Sequence, residues 1–218
     1  MISLVVGGQN SGKSKFAEEL AVKSGEGRLY YLATMKVCDE AGEERIRRHR
    51  RQREGKGFIT IEVQYGIDRA AEMMDEPAES VVLLECMANL VGNELYDNPY
   101  REWNRDGELY NNPDQERNIG REPNDDPGRK WNKEEVQGIR PDGTGYELFA
   151  DTVVRDVRKL AEQVKELIVV TNEYHAGVDY KTDTDECTLM YIELLDLVNA
   201  RLKRLADDVY MINKDTGY

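Results

Sequence analysis

The feature that most constrains the fold is a glycine-rich stretch close to the start of the chain. Residues 7–14 read GGQNSGKS and match the pattern G-x-x-x-x-G-K-[ST] at every fixed position. An apolar segment at 2–6 precedes this stretch, and a helix-forming segment at 13–23 follows it. A glycine loop in this setting turns backbone N–H groups toward a phosphate at the positive end of a helix. The sequence therefore predicts a phosphate-binding loop.

Individual roles within the loop follow from the chemistry of its side chains. Lys13 is expected to reach the β- and γ-phosphates as a catalytic residue, and the Ser14 hydroxyl is expected to ligate Mg²⁺. The predicted ATP or GTP contacts in the loop are Gly7, Gly8, Gln9, Asn10, Ser11, Gly12, Lys13 and Ser14. The motif indicates a nucleotide but leaves the reaction open.

The remaining pattern predicts an α/β fold. Apolar strand-like segments lie at 2–6, 29–34, 58–63, 81–86, 167–171 and 209–212. Helical segments lie at 13–23, 43–54, 67–74, 146–165 and 188–205. Continuous apolar strands that alternate with helices are typical of a mostly parallel sheet covered on both faces. We expect one P-loop NTPase-type (RecA-like) α/β domain over residues 1–218.

The stretch at 96–145 differs from the rest. It contains five of the six prolines and both tryptophans, and it has few aliphatic residues. Such a composition buries little apolar surface. The sequence predicts a long insertion that is loop-rich or partly disordered, either mobile or ordered by a partner.

Charge, hydropathy and cysteine content argue against nucleic-acid-binding, membrane and disulfide-rich proteins. The formal net charge of −13 disfavours binding to nucleic acids and membrane surfaces. No apolar run approaches the roughly 18 residues of a membrane span. Three scattered cysteines without a CxxC pair predict a reduced, cytoplasmic protein.

An acidic residue closes one of the predicted strands. Glu85 ends the apolar run VVLLE. P-loop proteins use an acidic group at such a strand end to hold Mg²⁺, so Ser14 and Glu85 are the predicted metal ligands. The alternative is an acid that only ends a strand at the surface.

A basic segment stands out in this acidic chain. Residues 45–53 read RIRRHRRQR, with six arginines around His49. Guanidinium groups bind nucleotide phosphates, and neighbouring cations favour a neutral, nucleophilic imidazole. Such an imidazole can attack phosphorus and form a phosphoramidate. The alternative is a solvated basic helix whose histidine is incidental.

These motifs together resemble a known family. GGQNSGKS, YLAT, RIRRHRRQR, TIE, LLEC and VVTNE occur in this order. The set resembles the bifunctional adenosylcobinamide kinase / adenosylcobinamide-phosphate guanylyltransferase family of cobalamin biosynthesis, over residues 2–95 and 146–212. The resemblance implies phosphorylation of adenosylcobinamide by ATP or GTP. It further implies GMP transfer from GTP to the resulting phosphate through a guanylyl-histidine.

The resemblance also implies residue roles and an assembly. His49 would be the catalytic nucleophile. Further nucleotide contacts would be Ala33, Thr34, Met35, Arg50, Arg51, Gln52, Arg53, Glu62 and Glu85. The implied cofactor is Mg²⁺, the implied partner is the corrinoid substrate, and the implied assembly is a homotrimer.

Two alternatives stay open at the level of sequence. Residues 174–180 read YHAGVDY where the family usually has V-G-x-G-I-V-P, and 191–200 keep Asn199 but lack the usual arginine and glycine. One alternative is a guanylyltransferase without the kinase step. The other is a GTP-binding regulatory protein whose insertion docks a partner, without transferase activity.

Overall fold

A computed structural model describes residues 1–24, 27–36, 40–99, 101, 139–140, 143–174 and 185–213. Most of the predicted insertion at 96–145 lies outside these ranges, so its boundaries and its character stay predictions.

Six strands form one parallel sheet. They are β1 Ile2–Gly7, β2 Leu29–Ala33, β3 Phe58–Glu62, β4 Val81–Glu85, β5 Glu166–Asn172 and β6 Asp208–Ile212. Their order in the sheet is β3-β2-β4-β5-β1-β6, and every neighbouring pair is parallel. Each strand lies where the sequence predicted one, which confirms the α/β P-loop fold class.

Five α-helices accompany the sheet in the described ranges. They are α1 Lys13–Lys23, α2 Glu40–Arg53, α3 Met87–Tyr96, α4 Tyr146–Gln163 and α5 Glu186–Leu205. Ile67–Met73, predicted as a short helix, is a 3₁₀ helix, and a second one spans Pro77–Glu79. No pattern in the sequence predicted α3. This helix follows its strand almost directly, without a polar turn, and contains Gly92, a poor helix former.

The sheet has a hydrophobic core on each face. On one face Val5, Leu83 and Ile168 pack with Ala17 and Ala21 of α1. The other face carries the larger core, with buried side chains from α3, α4 and α5. Alternate residues of the inner strands β1, β2, β4 and β5 enter opposite cores, so these strands are mainly apolar, whereas the edge strands β3 and β6 are largely exposed.

The sequence predicts an apolar stripe along α4 at Leu148, Val153, Val157, Leu160 and Val164. The last four are buried, but Leu148 is 57% exposed and the adjacent Phe149 is buried instead. Phe149, Val153, Val157 and Leu160 repeat at helical spacing and are all at most 1% exposed. No helix within the described ranges combines the length and apolarity that crossing a bilayer requires.

Both ends of the predicted insertion contact the core. Arg101 forms ion pairs with Glu94 of α3, at 2.6 Å, and with Asp156 of α4. Ile139 is 2% exposed and belongs to the larger core. The chain therefore leaves and re-enters the domain at anchored points.

The parallel arrangement positions the site. All six strands run in one direction, so the segments that follow β1, β2, β4 and β5 meet at one edge of the sheet. Ligands of open α/β sheets bind outside this carboxyl edge.

Candidate active site

The phosphate-binding loop depends on glycine at both of its ends. A Cβ atom on Gly7 would lie 2.6 Å from the carbonyl oxygen of Ile212 and 2.6 Å from the Ser11 hydroxyl. Gly12 has a φ of 88°, in the left-handed region, directly before α1. Only glycine meets these two requirements without strain. The motif therefore builds the close turn from strand to helix that the sequence predicted.

Lys13 is folded back over this loop. The side chain is 8% exposed, and its Nζ donates to the carbonyl oxygen of Gly8 at 3.0 Å. Burial lowers the pKa of Lys13, while the charges of Cys86 and Glu85 oppose this shift. A buried cation at the start of a helix is well placed to bind phosphate oxygens.

Ser14 and Glu85 converge at the start of α1. The Ser14 hydroxyl donates to Glu85 Oε1 at 2.5 Å, and Glu85 Oε2 is buried without a hydrogen-bond partner. Burial raises the pKa of Glu85 to about 7, against the hydrogen bond from Ser14 and the charge of Lys13. An orphaned carboxylate oxygen is costly unless a ligand completes it.

The donor set fits Mg²⁺. A hydroxyl and a carboxylate are the hard oxygen ligands that this ion prefers, and Mg²⁺ usually takes its other ligands from phosphates and water. Among the described residues no three or more His, Cys, Asp or Glu side chains converge on a metal site. Ser14 and Glu85 would therefore hold the ion together with a bound nucleotide.

Thr34 connects β2 to the end of β4. It is completely buried, and its hydroxyl donates to the carbonyl oxygen of Cys86 at 2.9 Å and accepts from the Cys86 N–H at 2.7 Å. Its own carbonyl oxygen accepts from Asn93 at 2.7 Å. The predicted nucleotide contact at Thr34 thus has a side chain committed to Cys86, while Ala33 and Met35 on either side are half-buried.

His49 lies on the inward face of α2. Among the described side chains of this helix, the buried or half-buried ones lie three or four residues apart, with two adjacent ones at its end. They are Gly42, Ile46, His49, Gln52 and Arg53. Arg47, Arg48, Arg50 and Arg51 are exposed. His49 is therefore half-buried, between arginines that are exposed.

Two of the predicted nucleotide-binding arginines pair with carboxylates. Arg50 Nη2 lies 2.8 Å from Oε1 of Glu62, the last residue of β3. This contact places the His49 region of α2 at the carboxyl edge of the sheet. Arg51 pairs with Glu44 on its own helix at 3.3 Å.

The C-terminal end of α2 is packed against the sheet and α1. Arg53 is 7% exposed, and its guanidinium carbon lies 3.4 Å from the centre of the Tyr31 ring. Gln52 donates to Glu18 Oε2 at 3.5 Å. Glu18 and Tyr31 were not predicted as part of the site. The one available signal for Glu18 was its position, one helical turn after Ser14.

The geometry brings the loop, Lys13, Ser14 and Glu85 together and turns His49 inward. The nucleotide-binding and catalytic roles assigned to these residues, and to Arg50, Arg51, Gln52, Arg53 and Glu62, stay predictions.

Comparison with known proteins identifies the family of this chain. A family model described as cobinamide kinase / cobinamide phosphate guanyltransferase matches residues 3–215. The bifunctional adenosylcobalamin biosynthesis protein CobU of Escherichia coli (strain K12) is 38% identical over 97 residues. That alignment covers 44% of this chain and 51% of the relative, so it spans only about half of the relative's length. The match over residues 3–215 confirms the resemblance read from the motifs, and the chain belongs to the cobinamide kinase / cobinamide phosphate guanyltransferase family.

Proposed function

We propose that this protein acts in cobalamin biosynthesis as an adenosylcobinamide kinase and adenosylcobinamide-phosphate guanylyltransferase. Its substrates are the corrinoid, GTP and, for the kinase step, ATP or GTP. The two transfers use one phosphate-binding loop but different attacking groups.

In the kinase step, the aminopropanol hydroxyl of adenosylcobinamide attacks the γ-phosphorus. An O–P bond forms, the bond to the β-phosphate oxygen breaks, and the hydroxyl proton is released. Lys13 stabilises charge on the phosphate oxygens, and the backbone N–H groups of residues 7–12 orient them. Ser14 and Glu85 would hold Mg²⁺, which would further neutralise the phosphate charge.

In the guanylyl step, a ring nitrogen of His49 attacks the α-phosphorus of GTP. A P–N bond forms while the bond to pyrophosphate breaks. A phosphate oxygen of adenosylcobinamide phosphate then attacks the same phosphorus, and the P–N bond breaks to regenerate the neutral imidazole. The neutral imidazole is the nucleophilic form, and the guanidinium groups of the same helix would neutralise the leaving pyrophosphate.

The observation that carries this proposal is the inward position of His49 on a helix whose end is docked near the phosphate loop. An incidental histidine on a solvated basic helix would be as exposed as Arg47, Arg48, Arg50 and Arg51. Instead it lies on the same face as the buried Arg53.

Intact-mass measurement after incubation with GTP and Mg²⁺ tests the proposal. The wild-type chain should gain one GMP through an acid-labile bond, and His49→Ala should gain none. His175→Ala is the matched control, because the chain contains two histidines and this is the other one. A wild-type protein that never gains GMP, or a His49→Ala variant that still does, would contradict the guanylyl-histidine.

A narrower activity is the second candidate. The residues at 191–200, on α5, lack the arginine and glycine of the family pattern. This departure favours a guanylyltransferase that acts on a corrinoid phosphate made elsewhere. Separate assays with adenosylcobinamide and with its phosphate distinguish the two activities. The narrower enzyme releases pyrophosphate beyond the one equivalent of guanylyl-histidine formation only when the phosphate is supplied.

A further inference from the structure

The carboxylate of Glu18 has no part in the proposed chemistry, yet it is completely buried near the phosphate loop. Glu18 lies on α1, one helical turn after Ser14, and its exposed fraction is 0%. Burying an ionised carboxylate is costly unless partners offset the lost hydration. Its partners therefore indicate what the residue does.

The two hydrogen-bond partners of Glu18 lie at the end of the helix that carries His49 and in the turn directly after it. Lys56 Nζ lies 2.6 Å from Glu18 Oε2, and Gln52 Nε2 donates to the same oxygen at 3.5 Å. Gln52 is in the last turn of α2, and Lys56 is in the turn that follows it. Glu18 thus joins the helix of the phosphate loop to the helix of the predicted nucleophile.

A second contact holds the same end of α2. Arg53, the last residue of the helix, stacks over the Tyr31 ring of β2. Glu18 and Arg53 both act electrostatically on Tyr31 and on Glu85, so these side chains form one cluster. The end of α2 is therefore fixed to α1 by a carboxylate and to β2 by a ring.

The spacing along both helices connects this cluster to the site. His49 precedes Arg53 by four residues, and Ser14 precedes Glu18 by four residues. Residues four apart lie on one helix face, about one turn from each other. Because a helix is stiff over one turn, fixing the end of α2 against Glu18 fixes the approach of His49 to the loop.

We infer that Glu18 is a positioning residue for guanylyl transfer: with Lys56 it holds α2 on α1, so that His49 faces the α-phosphorus of GTP bound at the phosphate loop. The inference rests on the proposed function and deepens it. Glu18 acts through α2 and does not touch the substrate. A misplacement of about 1 Å can lower a rate by roughly 10²-fold, so the loss of this contact should be visible kinetically.

The test separates GTP binding from GMP transfer. Adduct formation on His49 is followed by mass spectrometry in a single turnover, and GTP affinity is measured by titration calorimetry. Glu18→Gln keeps the shape of the side chain and removes its charge. It should slow adduct formation by about tenfold or more, with GTP affinity within about threefold of wild type. The matched control is Glu19→Gln on the same helix, whose exposed side chain pairs only weakly with Lys15, at 3.9 Å. It should match wild type in both measurements.

Variants of Lys56 test the same contact from the other side. Lys56 is 30% exposed, so its replacement leaves the core intact. Lys56→Met should slow adduct formation as Glu18→Gln does, and Lys56→Arg should retain the wild-type rate. The double variant should be little slower than either single variant, because both remove one interaction.

The outcomes are distinct. A wild-type rate in both Glu18→Gln and Lys56→Met overturns the inference and leaves the proposed function standing. A loss of GTP affinity that parallels the loss of rate also overturns it, because that pattern indicates general damage to the site. If Glu18→Gln fails to fold, Lys56→Met decides alone. A wild-type protein that forms no adduct removes the proposed function and this inference together.

Discussion

At the scale of single residues, Glu85 is a group whose burial costs stability and whose carboxylate is predicted to bind Mg²⁺. A carboxylate at the end of a buried strand loses its hydration. Glu85 Oε1 accepts one hydrogen bond from Ser14, whereas the buried Oε2 has no hydrogen-bond partner. Burial therefore raises its pKa to about 7. Groups with strongly shifted pKa values are concentrated at functional sites, where a bound ligand can offset the free-energy cost of burying the charge.

The raised pKa of Glu85 predicts a pH dependence of both stability and Mg²⁺ binding. Between the ordinary carboxyl range and about pH 7, the folded protein holds a proton that the unfolded chain has lost. Stability contributed by this group therefore falls as pH rises through that window. Glu85→Gln should remove this slope and melt higher than wild type at pH 8. Thermal melts from pH 5 to pH 8 check this, and a wild-type slope in the variant would contradict it.

Binding of Mg²⁺–GTP should release this proton near neutral pH, since Mg²⁺ requires the ionised carboxylate. Calorimetry in buffers of different ionisation enthalpy measures the proton count. We expect net release below about pH 7 for wild type and less release for Glu85→Gln. Equal proton counts for the two proteins would exclude Glu85 as the source.

Gly7→Ala should disable the phosphate loop through sterics alone. The added Cβ would meet the Ile212 carbonyl oxygen and the Ser11 hydroxyl at 2.6 Å, so strand and loop must shift. We expect a stability loss of about 1–3 kcal/mol and a large loss of GTP affinity. Gly92→Ala in α3 is the control. Its Cβ would have its closest neighbour, Tyr191 Cε2, at 3.7 Å, and its helix should gain about 0.5–1 kcal/mol. Urea unfolding of both variants measures these changes in the free energy of unfolding.

At the scale of elements, one arginine joins two helices through buried charges. Arg101 contacts Glu94, which is 1% exposed, and Asp156, which is 2% exposed. Burial raises the pKa of Asp156, although the hydrogen bond and charge of Arg101 oppose the shift. The ion pair with Arg101 thus compensates the desolvation of the Asp156 carboxylate only in part. The value of the two ion pairs is to fix where the chain leaves the domain.

Arg101→Met should therefore be strongly destabilising. The substitution leaves Glu94 and Asp156 buried without their cation, which costs about 3–5 kcal/mol in comparable sites. Arg155→Met is the control, because Arg155 is 57% exposed and lies 3.6 Å from Asp156. It should change the free energy of unfolding by less than about 0.5 kcal/mol. If both substitutions changed the free energy of unfolding equally, the buried ion pairs of Arg101 would contribute no more stability than the exposed pair of Arg155.

At the scale of the whole molecule, nucleotide binding and folding are linked. Mg²⁺–GTP that binds the folded chain at about 100 times its Kd adds about 2.7 kcal/mol of stability. In a chain of this size that corresponds to a rise in Tm of roughly 5–10 °C. Lys13→Ala should abolish the rise, and Glu19→Gln should retain it. An unchanged Tm for the wild-type protein across a GTP titration would contradict binding at the phosphate loop.

The family resemblance also implies a trimer, which stays a prediction about the assembly. Sedimentation velocity across a range of concentrations measures it. We expect one species at three times the chain mass, and a monomer at micromolar concentration would contradict it.

Much of this architecture is encoded locally. Short sequence patterns predict the glycine loop, the apolar strands and the amphipathic helices. This is possible because backbone sterics and burial on one or two faces act over a few residues. For that reason the six strands and the residues of the phosphate loop were predicted at their observed positions. The helix α3 was not, because its sequence follows the strand without a local boundary.

The sequence alone determined which groups are chemically able to act: Lys13, Ser14, Glu85 and the histidine among arginines. Only the tertiary structure decided which of them meet, because contacts between distant segments depend on the order of strands and on helix docking. Ser14 reaches Glu85 across 71 positions of sequence, and Glu18 reaches Lys56 across 38. The inward turn of His49 arises in the same way, since the direction of a helix face is set by what the helix packs against.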